Sequence, residues 1–198
     1  KKITKITLNT KKSIDIAIIG KYVNLKDAYK SLDEALVHGG ISNKIKVNLV
    51  RIESDNLKTK EIGKKLKNVS GLLIPGGFGK RGTEGKISAI KYARENKIPF
   101  LGICFGMQMA IIEFSRNKLK IKKAGSSEFD KNCYPVIGLI NEWDKEGKII
   151  KGTDKDLGGT MRLGLYEAKL RNNSAIKRIY KSNSCLLYTS DAADEHTG

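Results

Sequence analysis

Hydrophobic and polar residues follow two different periods along the first 120 positions of the chain. Short apolar runs that are typical of strands buried in a parallel sheet occupy residues 14–20, 69–74 and 98–103, and a further strand is predicted over residues 44–53. Segments with apolar residues at helical spacing separate or follow them, at 27–38, 56–68, 84–96 and 105–116. This alternation predicts an α/β fold, with a mostly parallel sheet covered by helices on both faces.

The remaining segments carry weaker patterns. Gly39 and Gly40 follow the first predicted helix, and we expect them to end it because glycine is the usual helix stop. After residue 120 only Tyr134 to Ile140 is predicted as a strand, among loops. Residues 1–13 are polar and rich in lysine, which predicts a linker. No apolar run approaches the ~20 residues of a membrane span, so no membrane partner is expected.

The composition adds a strongly basic charge to this picture. The 198 residues carry a formal net charge of +17, and clustered basic residues can bind nucleic acid. Here lysine outnumbers arginine, which is the residue favoured for planar recognition, and the lysines are spread along the chain. We therefore expect a solvated basic surface and no nucleic-acid partner. Salt-dependent DNA binding would be the signature of the alternative.

Cysteine usage and the N-terminus indicate a compartment. The three cysteines have no paired spacing, which predicts neither a disulfide framework nor a metal site. The N-terminal residues are basic without the apolar stretch of a signal peptide. A reducing cytoplasm is the expected location.

The stretch LGICFGMQ, residues 101–108, places Cys104 between Gly102 and Gly106 where a strand gives way to a helix. This is the pattern of a nucleophile elbow, a turn so tight that side chains two residues on either side would collide. The start of the following helix favours the thiolate form of the cysteine, and the N–H of Phe105 is placed to donate to an oxyanion. The alternative is an ordinary buried cysteine.

A second glycine-rich strand end precedes the elbow. Residues 75–79, PGGFG, follow the strand predicted over 69–74 and offer backbone N–H groups with no Cβ in the way. Reactive groups collect at the carboxyl ends of parallel strands. A plain turn is the alternative, but two such ends, one of them carrying a cysteine, indicate acyl transfer through a thioester.

Two further segments accompany these strand ends: GKYVNLKDAYKSLDEALVHGG at 20–40 and DLGGTMRLG at 156–164. Together with PGGFGKRGTEGK (75–86) and ARENKIPFLGICFGMQ (93–108), they resemble the glutaminase domains of the CTP synthase family, which belong to the class I (triad) glutamine amidotransferases. The resemblance covers about residues 14–183 and implies a flavodoxin-like fold.

The resemblance implies a mechanism and a set of site residues. Cys104 would attack the side-chain amide of L-glutamine, release ammonia and form a γ-glutamyl thioester that water hydrolyses. The N–H groups of Gly77 and Phe105 would form the oxyanion hole, and Glu128 would suit the α-ammonium group. The implied glutamine-binding residues are Gly77, Phe78, Phe105, Gly106, Met107, Gln108 and Glu128. Without the resemblance, Gln108 and Glu128 would be read as exposed polar residues.

The resemblance also implies regulation and partners. Arg81, Gly82 and Glu84 lie in a segment similar to the lid through which GTP, an allosteric activator, stimulates glutamine hydrolysis. No cofactor or metal is implied in this domain. In the whole enzyme, ammonia would pass to a synthetase domain that uses ATP and Mg²⁺ to aminate UTP to CTP, in a homo-oligomer, a tetramer. The alternative for Arg81 and Glu84 is a surface ion pair.

The sequence departs from the family pattern at the general base. In the family the base is the histidine of a His-Pro-Glu segment downstream of the elbow. His38 lies in a pattern that predicts a structural role, and His196 follows no Pro-Glu pair. We therefore expect this polypeptide to lack the triad histidine and glutamate and to have negligible glutaminase activity.

The expected domain boundaries follow from the same comparison. Residues 1–13 are predicted to be a linker from an N-terminal synthetase domain, and 14–183 an amidotransferase domain that is incomplete at its C-terminus. The resemblance stops near Asn183, so residues 184–198 are predicted to be a non-native tail. The loss of C-terminal strands would leave an exposed sheet edge.

Two other readings of function stay open. The chain could belong to another class I amidotransferase or a γ-glutamyl hydrolase, which the sequence upstream of it would decide. It could also be a non-catalytic glutamine-binding or regulatory module, in which case a glutamine analogue bearing an electrophile would fail to label Cys104.

Overall fold

The computed structural model describes residues 12–23, 25, 27–55, 57–138, 142–145, 148–151 and 164–189. It divides the chain into two compact units, Lys1–Leu139 and Ile140–Gly198, which are described separately below.

The first unit contains six strands and four helices within the described residues. The strands are β1 (Ser13–Gly20), β2 (Lys46–Glu53), β3 (Gly71–Ile74), β4 (Phe100–Gly102), β5 (Ala124–Ser126) and β6 (Tyr134–Ile137). The helices are α1 (Lys30–Ser42), α2 (Thr59–Leu66), α3 (Thr83–Glu95) and α4 (Phe105–Asn117).

Four of these strands form a parallel sheet in the order β2-β1-β3-β4. The chain moves outward from β1 to β2 and then returns past β1 to β3 and β4. Since crossovers between parallel strands are right-handed, this reversal puts α1 on one face of the sheet and α2 and α3 on the other. α1 packs against β2, while α3 packs against both α2 and α4. The predicted α/β fold with helices on both faces is confirmed.

The core lies between the central strands and the three helices on one face. Ala17, Ile19, Leu72 and Ile74 supply the strand side of this core. The helices contribute Ile62, Leu66, Ala89, Ile90, Phe105, Met109 and Ile112. α3 and α4 are also joined by an ion pair, in which Arg94 donates to the buried carboxylate of Glu113 at 2.8 Å. This packing fixes the base of the turns that follow β3 and β4.

The first helix differs from its prediction at both ends. It begins at Lys30 rather than Asp27 and continues through Gly39 and Gly40 to Ser42. A Cβ on Gly40 would lie 2.6 Å from the carbonyl oxygen of Ile45 and 2.7 Å from a methyl group of Val47. The prediction that these glycines stop the helix is wrong, because Gly40 instead allows α1 to approach the start of β2 closely.

The strand predicted at 134–140 is found as β6 over Tyr134–Ile137. It pairs in parallel with β5, which the sequence did not predict. In the described part of the chain β4 pairs with β3 on one side and is an edge of the sheet. Leu101 of this strand is more than half exposed.

The described residues of the second unit contain two antiparallel pairs of strands. β7 (Glu142–Lys145) pairs with β8 (Lys148–Lys151), and β9 (Gly164–Lys169) pairs with β10 (Ser184–Thr189), with α5 (Ala175–Tyr180) between the latter two. β10 begins at the first residue of the predicted tail, whose origin stays a prediction. Residues 1–11, most of the GGTMRLG segment and His196 lie outside the described residues.

Among the helices that the structure describes, none combines the length and the apolar character needed to cross a membrane. Across all the residues that the structure describes, no group of three or more His, Cys, Asp or Glu side chains could hold a metal ion.

Candidate functional site

Cys104 occupies a strained turn between β4 and α4. Its backbone has φ 49° and ψ −106°, and it directly precedes the first residue of the helix. A positive φ is uncommon for a residue with a side chain and is found where the surrounding structure enforces it, often at functional sites. The side chain of Cys104 is exposed. The interpretation of Cys104 as a buried packing residue is therefore wrong.

The glycines on either side of Cys104 are required by close backbone contacts. A Cβ on Gly102 would lie 2.6 Å from the backbone of Gly106 and Met107. A Cβ on Gly106 would lie 2.1 Å from the carbonyl oxygen of Ile74. The predicted reason, a turn too tight for side chains, is confirmed for Gly102, whereas Gly106 is required by the close approach of the end of β3.

The PGGFG turn lies beside the elbow because β3 and β4 are neighbours in the sheet. The N–H of Ile103 donates to the carbonyl oxygen of Ile74 at 2.9 Å. A Cβ built on Gly76 would lie 3.8 Å from the Cβ of Cys104, and one built on Gly77 would meet nothing within 4 Å. The structure thus brings the two predicted strand ends together and leaves open space at Gly77. The Phe78 side chain is 81% exposed.

Glu128 joins this group from the turn after β5. Its Oε1 accepts a hydrogen bond from the N–H of Gly79 at 2.8 Å, and its own N–H donates to the Oγ of Ser126 at 3.2 Å. Gln108 lies in the first turn of α4, where its N–H donates to the carbonyl oxygen of Cys104 at 3.2 Å. A carboxylate is therefore held directly against the PGGFG turn.

The other predicted glutamine-binding residues belong to the start of α4. Phe105 and Gly106 are buried, whereas Met107 is half-exposed. Phe105 packs against Phe129 with 6.5 Å between the ring centroids. The N–H of Gly106 donates to the carbonyl oxygen of Ile103 at 2.9 Å.

Two lysines that the sequence did not single out as site residues also lie here. Lys21 Nζ donates to the carbonyl oxygens of Phe78 and Gly79, the latter at 2.9 Å. The ammonium groups of Lys21 and Lys86 lie 5.1 Å and 5.0 Å from the centre of the Phe105 ring. A polar residue directly after β1 is a signal that could have identified Lys21, since the carboxyl ends of parallel strands share one edge of the sheet.

The electrostatics of this region are set by buried amines. Burial lowers the pKa of Lys86 to about 8, the positive charges of Lys21 and Arg81 act in the same direction, and Asp55 opposes them. Burial also lowers the pKa of Lys21, with Arg81 acting in the same direction against Asp55 and Glu128. The site is thus a cluster of cations partly balanced by two carboxylates.

The predicted lid residues lie at the start of α3: Arg81 and Gly82 precede the helix and Glu84 lies in its first turn. Arg81 forms an ion pair with Asp55 and lies 5.9 Å from the centre of the Tyr22 ring. Glu84 pairs with Arg116 at 2.9 Å. The alternative in which Arg81 and Glu84 form one surface pair is therefore wrong.

Gly82 has a structural reason for its identity. It has a φ of 71°, and a Cβ there would lie 2.3 Å from the Oγ of Ser54. It directly precedes Thr83, where α3 begins. Its two predicted partners in the lid, Arg81 and Glu84, therefore flank a turn that requires glycine.

The described part of the chain holds one of the two histidines, and that one lies away from Cys104. His38 is exposed on α1, which packs against β2, whereas Cys104 follows β4 at the other edge of the sheet. Three strand spacings separate those edges by roughly 14 Å. His38 is therefore not placed to act as the base, and the structural role predicted for it stays a prediction.

Comparison with known proteins gives a family and named relatives. Residues 24–196 match the family described as glutamine amidotransferase class-I. The CTP synthase of Pelagibacter ubique is 76% identical over 182 residues, 92% of this chain and 34% of the relative. The CTP synthase of Zymomonas mobilis is 51% identical over 185 residues, again 92% of this chain and 34% of the relative. The chain thus spans about a third of the length of these relatives.

A solved structure supports the same relationship. The glutaminase domain of Trypanosoma brucei CTPS with bound acivicin superposes with a TM-score of 0.72 at 32% sequence identity. The match covers 87% of this chain and 64% of that chain.

Proposed function

Because the chain belongs to the class-I glutamine amidotransferase family, we propose that it is the glutaminase domain of a CTP synthase. In this proposal Cys104 hydrolyses L-glutamine and the ammonia is used to aminate UTP. The observation that carries the proposal is the elbow at Cys104 beside the open PGGFG turn, in a chain 76% identical to a protein named CTP synthase.

The chemistry begins with the thiolate of Cys104. It attacks the side-chain carbonyl carbon of glutamine, and the negative charge moves to the carbonyl oxygen. Hydrogen bonds donated by the N–H groups of Phe105 and Gly77 stabilise this oxyanion. Such hydrogen bonds stabilise the transition state most when the donors are already fixed in place. Collapse of the intermediate breaks the C–N bond, the leaving nitrogen takes up a proton, and ammonia and the γ-glutamyl thioester remain. Water then hydrolyses the thioester to glutamate.

Proton transfer in both steps needs a general base. We assign that role to a histidine oriented by a glutamate in a segment beyond the described residues, because His38 lies at the far edge of the sheet.

The substrate would lie over the start of α4. Glu128 would bind the α-ammonium group, since its carboxylate is already held at the PGGFG turn by Gly79. Gln108, Met107 and the backbone of Gly106 would line the pocket from α4, and Phe78 would cover it from the turn. The exposed position of Phe78 supports a covering role, because an aromatic side chain in water gains by packing on a ligand.

Arg81, Gly82 and Glu84 would form the segment that responds to GTP as an allosteric activator. The position of the Arg81 guanidinium, 5.9 Å from the centre of the half-exposed Tyr22 ring, supports this assignment, because a guanidinium and an aromatic face lie near each other at the surface. Guanidinium groups suit phosphates, and aromatic rings suit bases.

The full-length protein would contain further parts. We propose that residues 1–13 link this domain to a preceding synthetase domain, where ATP and Mg²⁺ activate UTP, and that the protein forms a cytoplasmic tetramer. The support is that CTP synthase relatives match this chain over only about a third of their length. Below, "full-length protein" means this domain with the proposed synthetase domain and the segment that carries the base.

The test is covalent labelling of the full-length protein with acivicin, followed by mass spectrometry. We expect one adduct, on Cys104. We also expect Cys104→Ser to abolish glutamine-dependent CTP synthesis while ammonia-dependent synthesis persists. Cys133→Ser, which removes a free and partly buried cysteine, is the control for reaction at other thiols and should leave labelling unchanged.

The outcomes separate the proposal from its rivals. A lack of labelling at Cys104 would contradict the proposal and favour a non-catalytic module. Labelling with glutamine hydrolysis but no CTP synthesis from either nitrogen source would instead indicate another amidotransferase or a γ-glutamyl hydrolase.

A further inference from the structure

We propose that Lys21 is a positioning residue that holds the two oxyanion-binding segments of the glutaminase site in register. The proposal rests on the function proposed above. It concerns a residue that follows β1 and lies on neither of the segments that carry the predicted oxyanion donors, Gly77 and Phe105.

The first support is the hydrogen bonding of Lys21. Its ammonium group donates to two consecutive carbonyl oxygens of the PGGFG turn, those of Phe78 and Gly79. Gly79 has a φ of 72°, and three of the five residues in the turn are glycines. Such a segment has many accessible backbone conformations. An ammonium group bound to two of its carbonyls selects one of them, and this fixes the peptide groups next to Gly77.

The second support is the contact of the same ammonium group with the elbow. Lys21 Nζ lies 5.1 Å from the centre of the Phe105 ring, within the range of a cation–π interaction. Phe105 is 1% exposed and also lies near the ammonium group of Lys86. One group therefore contacts both segments, and a shift of either segment relative to the other would break one of its interactions.

The third support is the burial of Lys21. Its side chain is 6% exposed, in a chain whose many other lysines are mostly at the surface. A buried ammonium group costs free energy unless polar groups replace its water. The two carbonyl oxygens provide that replacement, whereas a lysine with only a solubilising role would extend into water.

A positioning role has a specific kinetic consequence. Oxyanion donors act on the transition state, so a small displacement of one donor lowers the rate of the chemical step more than it weakens ground-state binding of glutamine. Loss of Lys21 should therefore act mainly on kcat for glutamine hydrolysis and leave KM for glutamine almost unchanged.

The test compares Lys21→Met and Lys21→Arg in the full-length protein, without GTP. Methionine keeps most of the volume but donates no hydrogen bond. We expect Lys21→Met to lower kcat for glutamine hydrolysis about 10–100-fold, as small misplacements of catalytic groups do, with KM changed less than about threefold. Lys21→Arg, which can still donate to both carbonyls, should retain more of the activity. Ammonia-dependent CTP synthesis should be unchanged in both variants.

The control is Lys91→Met, which removes an exposed lysine from α3 and should behave as the wild type. A kcat for Lys21→Met within about twofold of the wild type would overturn the proposal. A parallel loss of ammonia-dependent synthesis would also overturn it, since that indicates general damage to the fold. If the wild-type protein neither hydrolyses glutamine nor reacts with acivicin at Cys104, the function proposed above fails, and the role of Lys21 fails with it.

Discussion

The buried amine of Lys86 shows how one residue beside the candidate site lowers the free energy of unfolding. Lys86 is 1% exposed, and its pKa is lowered from 10.5 to about 8 by burial, Lys21 and Arg81, against the opposing charge of Asp55. The lowered value means that the folded domain binds the proton less tightly than the unfolded chain does. Protonated Lys86 thus disfavours folding at neutral pH, although it also lies on the Phe105 ring.

This charge predicts a pH dependence of stability. Between about pH 8 and 10.5 the unfolded chain holds more protons at Lys86 than the folded domain, so the contribution of Lys86 to the free energy of unfolding rises with pH. We expect the wild type to gain stability relative to Lys86→Met across this range. Urea denaturation of both proteins at several pH values between 7 and 10.5 measures the difference.

The matched control for Lys86→Met is Lys91→Met, because Lys91 lies on the same helix and is exposed. Its stability relative to the wild type should not vary with pH over the same interval. A difference between the wild type and Lys86→Met that stays constant from pH 7 to 10.5 would contradict the prediction.

At the scale of elements, the elbow depends on how closely α4 approaches β3. The carbonyl oxygen of Ile74 accepts a hydrogen bond from the N–H of Ile103. It lies 2.1 Å from the position that a Cβ on Gly106 would take. The helix therefore packs backbone to backbone against the end of the strand. Cys104, with its positive φ, lies in the short turn that connects β4 to this helix.

This packing predicts different outcomes for alanine at two glycines of the site. Gly106→Ala should lower the free energy of unfolding by about 1–3 kcal/mol or more, because the new methyl group has no room. Gly77→Ala should change it by less than about 0.5 kcal/mol, since its Cβ position is open to 4 Å. Thermal denaturation of the two variants beside the wild type measures the contrast. Equal stabilities would contradict the packing argument.

The sequence predicted the elements whose patterns are local and missed those that depend on distant contacts. β1 to β4 and α1 to α4 were predicted because their apolar periods alternate over 13–117. β5 has only three residues, two of them Ala and Gly, and carries no recognisable period. The predicted end of α1 was wrong because Gly40 allows close packing against Ile45 and Val47, and no local sequence pattern shows that contact.

The candidate site shows the same division. Cys104 and its two glycines were identified because the elbow is a local motif, and PGGFG because it directly follows a strand. Lys21 and Lys86 were not identified from the sequence, because their burial and their approach to Phe105 arise only when β1, α3 and α4 are assembled. In a sequence with so many lysines, the residue type alone does not distinguish a buried lysine from a solvated one.

At the scale of the whole molecule, the proposed nucleophile and the described histidine lie at opposite edges of one sheet. Cys104 follows β4, and His38 lies on the helix that packs against β2. The strand order therefore separates them by the width of the four-stranded sheet. Under the function proposed above, the elbow, the PGGFG turn and Glu128 would bind glutamine, while proton transfer would need a base other than His38.

This separation leads to a prediction for the 198-residue chain by itself. His38 cannot act as the base from the far edge of the sheet, so we expect the chain by itself to hydrolyse glutamine more slowly than the full-length protein, by roughly 10²–10⁴. Cys104 should still react with iodoacetamide, because it is exposed at the turn. Glutamate release assayed for both proteins at equal concentration measures the ratio, with Cys104→Ser of each as the blank. Hydrolysis by the chain alone at the rate of the full-length protein, lost in Cys104→Ser, would show that these residues already supply a base and would overturn the assignment of that role to a later segment.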